Sequence, residues 1–297
     1  MRADSSLLIY GLGFSGQALA RLALTDNWTV TATVRTSEKA AAMRSTYPAL
    51  KVIALDRPEA PEQLRRSTVT ASHILMSAPT AEQANGVHDD PYLSVASPDW
   101  FEGAQWVGYL STTVVYGDWQ GEWVDETSET RSISVRGRRR LEAEKQWSAL
   151  SAPVHIFRLA GIYGPGRNAL ETVRKGRARI IDKPGQVFSR IHVEDIADVV
   201  WASMNQATAH PGNADIFNVC DDEPCEPRIV IRRACDMLGV APPQPVAFED
   251  AGLSAMGRSF YEDNKRVSNA KVRALLGRTL RYPSYREGLA AEFKRLD

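Results

Sequence analysis

Short apolar runs alternate with amphipathic stretches through the first half of the chain. Ser6-Leu7-Leu8-Ile9-Tyr10, closed by Gly11, reads as a buried strand. Ala18, Leu19, Leu22 and Ala23 then fall on one stripe of a helix. The β-branched stretch from Trp28 to Val34 predicts a second strand, and the alanine-rich Ser37–Met43 a second helix. Val52–Leu55, His73–Met76, Trp106–Leu110 and Val154–Leu159 predict four further strands, most of them separated by helical stretches. Strand and helix alternating in this way predict a doubly wound parallel sheet of Rossmann type, covered on both faces.

Beyond Gly161 the pattern loosens. Gly164-Pro165-Gly166 and Lys183-Pro184-Gly185 are turn clusters. Ile191-His192-Val193 predicts a short strand with an amphipathic helix after it through Trp201, for which Asp195 is a natural N-cap. Ile216–Val219 predicts another strand, and the prolines at 224, 227, 242, 243 and 245 mark a less regular α/β lobe.

Composition narrows the function classes. The 297 residues carry 36 basic and 36 acidic side chains, so the formal net charge is zero. That balance excludes a general nucleic-acid binder, and the arginines between Arg136 and Arg140 lack the interleaved aromatics of a single-strand platform. No run approaches the ~20 apolar residues of a membrane span. The amino-terminal stretch is too short before its glycines for a secretory signal. Three cysteines, Cys220, Cys225 and Cys235, make no disulfide framework and no zinc spacing, so a cytoplasmic protein without metal is expected.

The chemistry begins at Gly11-Leu12-Gly13-Phe14-Ser15-Gly16, a G-x-G-x-x-G between strand and helix. Glycines there permit a tight turn and a close backbone approach, and the helix N-terminus faces a pyrophosphate. Residues 1–165, completed by about 188–222, are therefore expected to form the dinucleotide-binding domain, with 166–187 and 223–297 as a smaller substrate lobe. An NAD site usually has an acid roughly 20 residues on. This chain has Arg35-Thr36-Ser37, with Lys39 nearby. A guanidinium fork suits a 2′-phosphate, so NADP is favoured over NAD; the alternative is that Arg35 is a solvated strand-end charge. Asp56 either bonds the adenine amino group or forms a turn.

These residues resemble the short-chain dehydrogenase/reductase superfamily, in its extended, epimerase/dehydratase-like branch. Ser111-Thr112-Thr113-Val114-Val115-Tyr116-Gly117 is similar to the segment that carries that branch's active-site hydroxyl. Arg158 to Arg167, Arg190 to Ala197, Phe217 to Asp222, Asn264 to Asn269 and Tyr282 to Gly288 resemble further blocks in the same order. The resemblance implies a nicotinamide cofactor, an oxidoreductase or epimerase activity, and a homodimer.

It also implies a Tyr and a Lys in Y-x-x-x-K, and there the chain departs. Alignment on Leu141-Glu142-Ala143-Glu144 places Arg136 and Arg140 at the Tyr and Lys positions. Arginine cannot act as acid or base. Two guanidinium groups one helical turn apart suit a small anionic substrate, or they form a solvated basic stripe. Gly161 and Phe188 replace residues that nucleotide-sugar enzymes use. Thr112 fills the hydroxyl position, and Tyr116, Tyr163, Asp89, Asp90 and Asp118 are the candidate proton carriers; the alternative for each is structural, the tyrosines as packed rings and the aspartates as turn or cap groups. The alternative function is a dinucleotide-binding sensor or regulator without catalysis.

Overall fold

The apolar runs become one parallel sheet. The computed structural model describes residues 5–79, 90–209 and 214–296. Its main strands are β1 (Ser6–Tyr10), β2 (Thr29–Val34), β3 (Lys51–Ala54), β4 (His73–Met76), β5 (Trp106–Thr112), β6 (Val154–Leu159) and β7 (Asp215–Val219). The helices are α1 (Phe14–Thr25), α2 (Ser37–Thr46), α3 (Ala60–Thr70), α4 (Val135–Ser148), α5 (Ala169–Arg174), α6 (Val193–Ala209), α7 (Pro227–Leu238), α8 (Ala255–Glu262), α9 (Ala270–Leu276) and α10 (Tyr285–Lys294). The sheet runs in the order β3-β2-β1-β4-β5-β6-β7. β1 pairs in parallel with β2 on one side and β4 on the other, so the order reverses there. Ligands of doubly wound sheets sit at the carboxyl ends of the strands at such a switch point. After the half-buried Ser6, β1 is a continuous run of apolar or aromatic residues because its last four residues are buried, where an alternating pattern would put polar groups in the core.

The chain clusters into two units. The first comprises Met1–Ser111, Arg138–Arg158 and Ile196–Phe217, and holds the sheet. Its core stacks Tyr10 on Tyr92 at 4.4 Å between centroids and packs Phe101 and Trp147 around Tyr92, with Tyr109 stacked on Trp147. A buried ion pair joins α4 to β6: Arg158 Nη2 lies 2.8 Å from Glu144 Oε2, and Ser111 Oγ donates to Glu144 Oε1 at 2.5 Å.

The second unit comprises Thr112–Gly137, Leu159–Asp195 and Asn218–Asp297. Residues 112–137 and 159–165, grouped with the amino-terminal domain on sequence, cluster here instead. The unit is built on short parallel pairs, Gly161–Tyr163 with Arg190–His192 and Ile180–Asp182 with Pro245–Ala247. Its apolar core gathers Leu170, Val230, Ala234, Tyr285 and Leu289. His192 Nδ1 accepts from Glu194 N at 3.2 Å, so Nε2 carries the proton toward Glu292. Asp195 is not the N-cap of α6. It lies inside the first turn, and its carboxylate accepts from Arg281 N at 2.6 Å and Tyr282 N at 3.1 Å. No helix among the described residues is long and apolar enough to cross a membrane.

Candidate functional site

The glycine turn assigns each of its three glycines a separate duty. Gly11 follows β1 with φ +92°, and a Cβ there would stand 2.8 Å from Ala78 N, so the turn passes too close to the chain after β4 for any side chain. Gly13 is the N-cap of α1 without a side-chain cap, and a Cβ there would meet nothing within 4 Å: open space lies before the helix. A Cβ on Gly16 would stand 3.0 Å from Gly11 O and 3.2 Å from Ile9 Cγ2, so its absence lets α1 lie close on β1. Phe14 and Ser15 form the first turn of α1, where the amides and the dipole favour an anion. A dinucleotide pyrophosphate fits this cradle.

At the end of β2, Arg35 is exposed. Thr36 caps α2 through Lys39 N at 3.3 Å. Ser37 donates to Asp56 twice, from N at 2.9 Å and from Oγ at 2.8 Å. These bonds hold the Asp56 carboxyl below its ordinary pKa.

The second unit contains a cavity of about 1040 Å³. Thr112, Arg136 and Tyr163 line it, as do Phe188, Phe260 and Leu289. Of its lining residues five are cationic (Arg136, Arg167, Arg179, Arg190 and Lys265) and two acidic (Glu262 and Asp263), an excess that favours an anion. Arg136 lies over the Phe260 ring at 4.7 Å. Arg190 Nη1 donates to Phe188 O at 2.8 Å. Lys265 Nζ donates to Gly117 O at 2.7 Å, and burial pushes its pKa down. Thr112 Oγ1 accepts from Val114 N at 3.3 Å.

The remaining candidates are placed elsewhere. Arg140 donates to Tyr109 Oη at 2.7 Å and Leu110 O at 3.1 Å in the first unit, and is not among the cavity's lining residues. Tyr116 is fully buried and donates to Asn218 Oδ1 at 2.7 Å. The Tyr163 hydroxyl lies against Gly288, where a Cβ would overlap it, and burial raises its pKa. Asp90 is buried and accepts from Trp147 Nε1 at 3.0 Å and Tyr92 N at 2.9 Å. Asp118 accepts from Asn264 N at 2.8 Å. Asp89 lies outside the described residues. The cysteines are buried free thiols, and among the described residues no cluster could hold a metal ion.

Sequence reasoning did not single out Arg179, Arg190 and Lys265 as site residues. The last two sit in the blocks that carry the family resemblance, which is a signal; Arg179 has none.

Asp221, buried in the second unit, has its pKa pushed up to about 8 by desolvation, which the Arg190 charge offsets only in part. The native state keeps a proton that the unfolded chain has released, so this contribution to stability declines from about pH 4 to about pH 8 and then levels. Asp221→Asn is expected to melt progressively higher than the wild type across that window. Parallel melting curves at several pH values check this; a constant difference would contradict it.

No family model matches the chain. A conserved protein of unknown function from Silicibacter pomeroyi DSS is 41% identical, with TM-score 0.88, over 98% of this chain and 99% of that one. A Methylobacillus flagellatus protein described as a candidate NAD-dependent epimerase/dehydratase is 25% identical, with TM-score 0.73 and 99% of both chains covered. Protein YeeZ of Escherichia coli K12 is 26% identical over 93% of this chain and 95% of its own length. Proteins solved in complex with NAD share the fold at 14–19% identity and TM-scores of 0.70–0.74.

Proposed function

Because the chain belongs to the same family as the Silicibacter pomeroyi protein and has the epimerase/dehydratase fold of the short-chain dehydrogenase/reductase superfamily, we propose that it is an NADP(H)-binding oxidoreductase or epimerase acting on a small anionic substrate. The observation that carries this reading is the glycine turn, whose open space before α1 suits a pyrophosphate. Gly11, Gly13 and Gly16, with the Phe14 and Ser15 amides, seat that group, and Arg35 with Thr36 faces the 2′-phosphate. A nicotinamide cofactor bound there supplies or accepts hydride. Thr112 Oγ1 orients the substrate oxygen. Arg136, helped by Arg190 and Lys265, holds the substrate's anionic group, and the aromatic walls at Phe188 and Phe260 exclude water around it.

Incubation with NADPH and a panel of carboxylated and phosphorylated carbonyl compounds, followed by the absorbance of reduced nicotinamide, tests this. Turnover is expected on an anionic member of the panel. Arg136→Ala is expected to raise KM by about tenfold with little change in kcat, as for an interaction made equally in ground and transition states. Dinucleotide binding without turnover on any member would instead leave a regulator.

A further inference from the structure

Ser37 opens α2, a 10-residue helix, two residues after the exposed Arg35, and offers two donors. A phosphate brought to Arg35 would find these donors within the same turn. Both are already taken, and by a single carboxylate from the end of another strand: Asp56 Oδ2 accepts from Ser37 N at 2.9 Å and Asp56 Oδ1 from Ser37 Oγ at 2.8 Å. The carboxylate occupies the helix N-terminus as a bound anion would.

We propose that Asp56 is a specificity-determining residue, an internal anion that competes with the cofactor's 2′-phosphate for the donors of Ser37. This rests on the dinucleotide reading of the glycine turn. Arg35 and Asp56 then act in opposition at one site. The guanidinium attracts a group carrying roughly −1.5 to −2 charges. The carboxylate repels it and withholds the two donors that would complete its shell. A dinucleotide with a free 2′-hydroxyl carries no such charge and leaves the Ser37–Asp56 bonds in place. The wild type is accordingly expected to bind both dinucleotides, with a modest preference for the phosphorylated one.

The experiment is a calorimetric titration of NADPH and of NADH into the wild type, Asp56→Asn, Ser37→Ala and Ser37→Ala/Asp56→Asn. Asparagine keeps the shape and removes the charge. It is expected to raise the NADPH-over-NADH affinity ratio by roughly five- to tenfold, through tighter NADPH binding at nearly constant NADH affinity. In the Ser37→Ala background the gain should shrink, because the freed hydroxyl is then missing. Asp56→Ser serves as a second variant if asparagine perturbs the turn. An unchanged or lowered ratio in a protein that binds both dinucleotides overturns this inference alone. A wild type that binds neither overturns the cofactor reading, and this inference with it.

Discussion

Gly13→Asp is expected to fold and melt much as the wild type does, while losing affinity for a dinucleotide by about 100-fold or more, some 2.7 kcal/mol. Gly13 is the N-cap of α1 with φ −88° and ψ −159°, extended backbone that any residue adopts. A Cβ there meets nothing within 4 Å, so no neighbour has to move. Aspartate is among the best N-caps, since its carboxylate accepts from the first-turn amides. Those are the amides that would face the pyrophosphate, and the added charge repels it. The substitution therefore separates binding from folding. Gly11 offers no such separation, because a Cβ there would press on Ala78 and its φ of +92° is strained for any side chain. Melting curves beside NADPH titrations of both proteins check the result. Undiminished affinity in a folded Gly13→Asp protein would place the dinucleotide elsewhere.

Arg158→Met is expected to cost about 3–5 kcal/mol of stability, the range for removing one partner of a buried ion pair. The two side chains are only 6% and 7% exposed, and the Arg158 guanidinium reaches both Glu144 oxygens. Without it Glu144 keeps Ser111 Oγ and a carboxylate charge in the core. Adding Glu144→Leu should recover part of the loss, because it removes the uncompensated charge although it leaves the buried Ser111 hydroxyl without this acceptor. Urea unfolding of the single and double variants measures both effects. A loss below about 1 kcal/mol for Arg158→Met would mean that the pair is solvated. The pair ties α4 to β6, and through Ser111 to β5, immediately before Thr112.

How much of this is legible in the chain depends on how local each cause is. β1, β4 and β6 begin and end where their apolar runs do, because a strand buried on both faces is marked by its own residues. The glycine turn is legible for the same reason: its demands concern residues in contact with one another. The candidate proton carriers are different. Nothing near Asp90 in sequence announces that its carboxylate receives Trp147 Nε1 from 57 residues away, or that Tyr116 reaches Asn218 from 102 away. Spacing on one helix put Arg136 and Arg140 together. What separates them is β5, whose Tyr109 hydroxyl and Leu110 carbonyl accept from Arg140. The cavity gathers Arg179, Arg190 and Lys265 from distant segments, so its positive excess exists only in the folded chain.

The central claim is that the turn after β1 is a dinucleotide cradle. Isothermal titration of NADPH into the purified wild type tests it most directly. Saturable heat at one site per chain, absent in Gly13→Asp, is the predicted result. No heat from NADPH, and none from NADH under the same conditions, would contradict it.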